Sequence, residues 1–215
     1  MMAQASGAGP SPVECPYITD GLIFWLDGIN RGGVAGQWTD LIGGKTFTLH
    51  NVTELANGVT FSSSGYGTHS GPISENWANE TIEIAKSSGS ITNRCFLCPA
   101  KASPVGIGLI TASSGATFSI NVDGATASKW NTNNTPKRIS ANNSYSVTDG
   151  SSKTRASTDS WGGNTSAVTY LGCRYITAAS RYMNGTLYSL RIYNRHLSVA
   201  EMQANQAVDA ARFNL

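Results

Sequence analysis

The sequence predicts an all-β protein: an antiparallel two-sheet β-sandwich closed by one short C-terminal α-helix. Three observations carry this. Of 215 residues, 40% are hydrophobic, 13% are charged and 23 are glycine. The charged share is about half the usual ~25%, which suits short strands joined by uncharged turns. Residues 185–193 (GTLYSLRIY) alternate strictly, with Thr186, Tyr188, Leu190 and Ile192 on one face and Leu187, Ser189, Arg191 and Tyr193 on the other. The turn dipeptides Asn57-Gly58, Asp123-Gly124, Asp149-Gly150 and Asn184-Gly185 recur beside such runs.

Taken in order, residues 1–19 are small and polar, with Pro10, Pro12 and Pro16, and read as a flexible N-terminal arm. Residues 22–27 are apolar on both faces and predict a buried strand containing Trp25. Trp38 plugs the loop that follows. Residues 45–50 alternate, with Phe47 and Leu49 inward. Residues 59–61 form the next strand, and the serines and glycines of 62–67 read as loop. Further strands are expected at 81–85, 91–98, 105–111 and 116–122, and on either side of Asp149-Gly150. Residues 158–166 read as a polar loop. Residues 167–173 form the penultimate strand, and the 185–194 strand is expected to pair with it and close the two sheets.

Ser198 and Glu201 have capping-box spacing, which predicts a helix start. Met202, Gln206 and Phe213 then lie along one side and dock the helix on the sandwich. The chain divides into an arm (1–19), a sandwich (20–197) and a helix (198–215).

Two stretches carry a family resemblance. Residues 185–198 (GTLYSLRIYNRHLS) run from a strand straight into the capped helix, and residues 21–30 (GLIFWLDGIN) and 38–44 (WTDLIGG) open the domain. Together they resemble the laminin G-like domains of the concanavalin A-like jelly-roll superfamily, especially bacterial and phage members. The resemblance brackets residues 20–213. It implies a jelly-roll sandwich with ligand contacts from loops, and calcium as the commonest cofactor. It says little about the ligand, because such folds host many functions.

The net charge of +2, with only isolated basic pairs, argues against a nucleic-acid partner. No apolar run approaches a membrane span, so no membrane insertion is expected. The first residues show neither a basic region nor an apolar core of a secretory signal. Cys95 and Cys98 have C-x-x-C spacing, which raises zinc or redox chemistry, but neither a second such pair nor a His pair supports zinc. With Cys15 and Cys173 they read as ordinary thiols. A disulfide is open in an oxidising compartment, with its partners undetermined.

No catalytic constellation is evident. Glu80 and Glu83 are an odd number of residues apart, so a strand puts them on opposite faces, unlike a glucanase carboxylate pair. No G-x-S-x-G is present, and His50, His69 and His196 lack a nucleophile motif. No cofactor is required. Calcium is a candidate at Asp27 and Asp159, with Asp40 and Asp149 also near strand ends. Sugar stacking is assigned to loop tryptophans: Trp161 with Asn164, and Trp130 with Asn131. The expected function is a non-catalytic binding or structural module on a phage virion surface, in a decoration, fibre or tail role. Its partners would be other virion proteins or a host glycan, with homo-oligomerisation possible. The alternatives are a secreted or cell-surface bacterial carbohydrate-binding module and, more distantly, a polysaccharide hydrolase.

Overall fold

The computed structural model describes residues 14–73, 79–87, 95–99, 106–111, 117–122, 125–131, 136–142, 144–154, 168–173 and 182–215. Within them the strands are β1 (Leu22–Asp27), β2 (Gln37–Thr39), β3 (Thr46–Leu55), β4 (Gly58–Ser70), β5 (Thr81–Lys86), β6 (Leu97–Pro99) and β7 (Gly106–Thr111). They continue with β8 (Thr117–Val122), β9 (Ala125–Asn131), β10 (Arg138–Ala141), β11 (Tyr145–Thr148), β12 (Ser151–Thr154), β13 (Val168–Leu171) and β14 (Gly185–Tyr193), before helix α1 (Val199–Phe213). Every ladder is antiparallel.

Two layers face each other. The first runs β12-β11-β10-β5-β14, with β1 on the other side of β14. The second holds β2, β3, β4, β13 and β6. Strands β7, β8 and β9 form a separate small sheet. Phe24, Leu26, Ile82, Ile84, Leu190 and Ile192 of the first layer meet Phe47, Leu49, Val59, Phe61 and Leu171 of the second in one buried core. Burying such side chains contributes about 1.5–3 kcal/mol each.

The last strand does not pair with the penultimate one, contrary to the sequence expectation. β13 lies between β4 and β6, while β14 pairs with β1, β5 and the start of β4. The two strands belong to opposite layers, and the chain crosses between them. The strict alternation of β14 also breaks. Leu187 pairs with Lys86 and Ser189 with Ala85, so Tyr188 is an extra residue in a bulge. The bulge turns Leu187 into the core beside Leu190 and Ile192, and frees Tyr188 to stack on Phe213 at 5.4 Å.

Two further expectations change. Residues 62–67 continue β4, although Ser62–Ser64 stay exposed. Asn51 takes φ 52°, and the register between β3 and β4 shifts beside it. This bend lets one hairpin join β14 at its tip and β13 at its base. Residues 125–131 form a strand that the sequence analysis did not find. The Asp149-Gly150 turn is as expected: both residues have positive φ, 46° and 84°, between the paired Thr148 and Ser151.

The helix opens with the expected capping box: Glu201 N donates to Ser198 Oγ, and Ser198 N donates to the Glu201 carboxylate. Met202, Gln206 and Phe213 are buried as expected, and so are Asn205 and Asp209. Cys15, Tyr17 and Ile18, assigned to the arm, are packed here. Tyr17 is 5% exposed and donates to Asp209, and Ile18 N donates to Asn205. The arm is therefore anchored at its inner end, and residues 1–13 lie outside the described residues.

Arg195 and the Ser198 amide hold the Glu201 carboxylate down at about 2, below its ordinary 4.5. A depressed carboxylate stabilises the fold fully above its unfolded value and loses that contribution as pH falls toward the folded one. Glu201→Gln is expected to lower stability at neutral pH and to flatten the acid-induced loss between pH 4.5 and pH 2. Urea midpoints across that range check it.

Candidate functional site

The outer faces of the two layers differ in kind. On the first layer, Ser140, Glu83, Ser189 and Arg191 point away from the core and lie under α1, all at 0% exposure. Arg191 donates to Glu83 at 3.0 Å and, through a two-pronged contact, to Asp209 at 2.7 Å. The Tyr17 ring covers the guanidinium at 3.8 Å. Burial alone would weaken the hold of Arg191 on its proton, but Asp209 and Glu83 raise its pKa well above the ordinary value. The same burial pushes the Tyr17 hydroxyl up. This face is sealed by its own helix.

The outer face of the second layer is open over β3 and β4, where Thr48 and Ser70 are exposed, and closes at β13, where Tyr170 is 7% exposed. In β3, Phe47 and Leu49 enter the core, which turns Thr46, Thr48 and His50 outward. Thr48 pairs with Thr68, and His50 with Tyr66, so the same face of β4 carries Tyr66, Thr68 and Ser70. Tyr170 and Val168 of β13 pair with Thr68 and Ser70. A shallow groove of about 680 Å³ runs over Thr46, Thr48, Thr68, His69, Ser70 and Val168, with residues 43–45 as one bank.

Beside the groove, the His50 and Tyr66 rings stack at 4.7 Å, and Tyr170 meets Tyr66 edge-on at 6.3 Å. His50 Nε2 lies 3.4 Å from Thr68 Oγ1, which ties the aromatic strip to the hydroxyl row. His69 Nδ1 donates to the Thr46 carbonyl at 2.9 Å. Lys45 Nζ donates to the Ile73 carbonyl at 2.7 Å. The bank is held by Asp40, whose carboxylate accepts from the backbone N–H of Trp25, Ile42 and Gly43 at 2.7–3.0 Å.

The floor of the groove therefore presents hydroxyls that both donate and accept, with the Lys45 ammonium on its bank and the His50–Tyr66 ring pair beside it. None of its described lining residues is a carboxylate, and among the described residues no carboxylate hydrogen-bonds His50. Such a face can hold a hydroxylated ligand; a paired-carboxylate hydrolysis has nothing to start from there. Glu83, weighed as a catalytic acid, is ion-paired under the helix on the far side.

Of the candidate residues named from sequence, Asp27 does not line this groove. Trp130 and Asn131 are not in a loop: they end β9 and pair with Phe118 and Thr117. Trp161, Asn164 and Asp159 lie outside the described residues. Asp27 is 0% exposed and accepts from Asn30 and Arg212, so a calcium ion there would have to displace Arg212. Asp149 accepts from the backbone N–H of Lys137 and Arg138. Among the described residues, no group of three or more His, Cys, Asp or Glu side chains is arranged to hold a metal. Tyr66 was missed because residues 62–67 were read as loop, and Thr68 and Ser70 because no strand was expected beyond them, although the outward Thr46 and Thr48 followed from the inward Phe47 and Leu49.

Known proteins share this architecture. The chain superposes on domain 4 of AbnA, a GH43 extracellular arabinanase from Geobacillus stearothermophilus solved in complex with arabinotriose. The TM-score is 0.54 at 14% identity, covering 85% of this chain and 96% of that one. It also superposes on Trypanosoma rangeli sialidase (TM-score 0.58, 14% identity, 88% of this chain) and on the botulinum neurotoxin serotype D/C binding domain (TM-score 0.55, 12% identity, 89% of this chain). It spans only 33% of the sialidase and 52% of the toxin domain. The fold is shared at identities this low, and the sequence is not. No family model matches the chain, and no curated protein matches it in sequence. The laminin G-like resemblance thus stands at the level of a jelly-roll-like β-sandwich. No helix among the described residues is long and apolar enough to cross a membrane.

Asp40→Ala should leave three backbone N–H groups without their acceptor and cost about 2–4 kcal/mol. Chemical denaturation measures the loss, and proteolysis should then cut within residues 41–45 before the rest of the sandwich.

Proposed function

We propose that this chain is a non-catalytic carbohydrate-binding module whose ligand lies across β3, β4 and β13. The observation that carries this is the hydroxyl-lined groove continuous with the stacked His50–Tyr66 pair, on the face that α1 leaves open. Pyranose and furanose rings offer one apolar face and a rim of hydroxyls. The apolar face stacks on an aromatic ring, while Thr48, Thr68 and Ser70 exchange hydrogen bonds with the rim. A ligand of this class needs no charge, which fits a groove without carboxylates. That an arabinanase domain of the same fold was solved with arabinotriose supports the reading.

Catalysis is not part of this proposal. Nor is a required calcium ion, since Asp27, Asp40 and Asp149 already serve Arg212, Asn30 and backbone N–H groups. A module of this kind acts outside the cell or on a particle surface such as a phage virion, where the glycans of a bacterial envelope come within reach.

A glycan array followed by calorimetry tests the reading. Binding to a neutral oligosaccharide is expected. It should survive EDTA and fall roughly tenfold or more, ~1.4 kcal/mol, in Tyr66→Ala. Unchanged affinity in that variant would move the site elsewhere. Stable capture of capsid or tail proteins with no glycan bound would replace the reading with a structural virion role.

A further inference from the structure

Three of the four cysteines gather at one edge of the second layer. Cys95, Cys98 and Cys173 are 0%, 3% and 1% exposed, whereas Cys15 packs with the helix cluster on the other layer. The chain bends at Phe96 just before β6, which brings the two ends of the C-x-x-C together. The Sγ atoms of Cys95 and Cys98 lie 2.7 Å apart. Two thiolates sharing a tetrahedral zinc stand about 3.8 Å apart, as Zn–S bonds of ~2.3 Å require. The separation is too short for a shared metal and needs only a slight closure to reach the ~2.0 Å of a disulfide.

We propose that Cys95 and Cys98 form an intrachain disulfide that fixes edge strand β6 against β13. Cys98 pairs directly with Tyr170, and Gly172 N donates to the Phe96 carbonyl at 2.8 Å, so the bond would lock the segment that borders the aromatic strip. The bond does not depend on what the groove binds. Cys173 stays outside it: burial, and then its neighbour Cys98, push its thiol up to about 12, which leaves it a poor nucleophile.

The oxidant is a small disulfide such as oxidised glutathione. One cysteine of the pair loses its proton and attacks the glutathione disulfide, forming a mixed disulfide and releasing one glutathione thiolate. The other loses its proton, attacks the protein sulfur of that bond and releases the second thiolate. Two protein thiols thus give up two protons and two electrons, and one disulfide becomes two thiols. Because both sulfurs are buried, the exchange takes place during folding or a local opening.

Arg94 and Lys101 flank the pair, so trypsin places both cysteines in one peptide, residues 95–101. The full chain is refolded with oxidised glutathione, then alkylated in denaturant and digested without reductant. The peptide should appear unalkylated and lighter by two hydrogens, with Cys15 and Cys173 alkylated. The variant Cys173→Ala, which keeps both partners, should give the same peptide. A doubly alkylated 95–101 peptide, a Cys98–Cys173 link, loss of the bond in Cys173→Ala, or bound zinc in the native mass spectrum would overturn the assignment.

Discussion

Arg191 is the residue on which the arrangement depends. It sits fully buried in the last strand, between Glu83 of β5 and Asp209 of α1, with Tyr17 laid over it. Removing three charged groups from water carries a large penalty, and only complete hydrogen bonding offsets it. The surroundings supply that. Ser140 and Asn205 donate to Glu83, Ser189 accepts from Arg191, and Gln206 bridges Ser140 to the Val147 carbonyl. The helix has a modest apolar side, so its position is set by polar complementarity as much as by Met202 and Phe213. Seating it there covers the first layer and anchors the chain at Tyr17 and Ile18. The outer face of β3 and β4 is left as the open sheet surface.

Much of this was legible in the sequence. The capping box at Ser198 and Glu201, the Asp149-Gly150 turn and the alternation of Phe47 and Leu49 each follow from one local rule, and each stands in the structure. What was not legible depends on partners distant in sequence. Arg191 looks like a solvated strand residue until Asp209 and Glu83 arrive. Strict alternation misplaced Leu187, because a bulge adds a residue that periodicity cannot see. Residues 62–67 read as loop because serine and glycine are turn formers, yet Gly67 sits in the ladder, where an added Cβ would lie 3.3 Å from Leu49 and Leu171. β9 mixes small and polar residues and offers no apolar stripe.

The candidate site was harder to read for the same reason. Tryptophans in polar stretches attract attention as sugar platforms, while a row of threonines and serines on a sheet face does not. Only the pairing of Thr48 with Thr68, and of Thr68 with Tyr170, turns scattered hydroxyls into a surface. The inward Phe47 and Leu49 were the available clue, since an inward phenylalanine at one position forces the next residue out.

The most direct test of this account is a double-mutant cycle between Arg191 and Asp209, built from Arg191→Met, Asp209→Leu and the pair, with stability from urea unfolding. If the buried ion pair seats the helix, Arg191→Met strands Asp209 and Glu83, Asp209→Leu leaves Arg191 held by Glu83 alone, and the double change recovers the Asp209 part of the loss. The coupling energy should then reach about 2–3 kcal/mol. Losses that add to within about 0.5 kcal/mol would mean that Arg191 and Asp209 do not depend on each other, and that something else holds the helix in place.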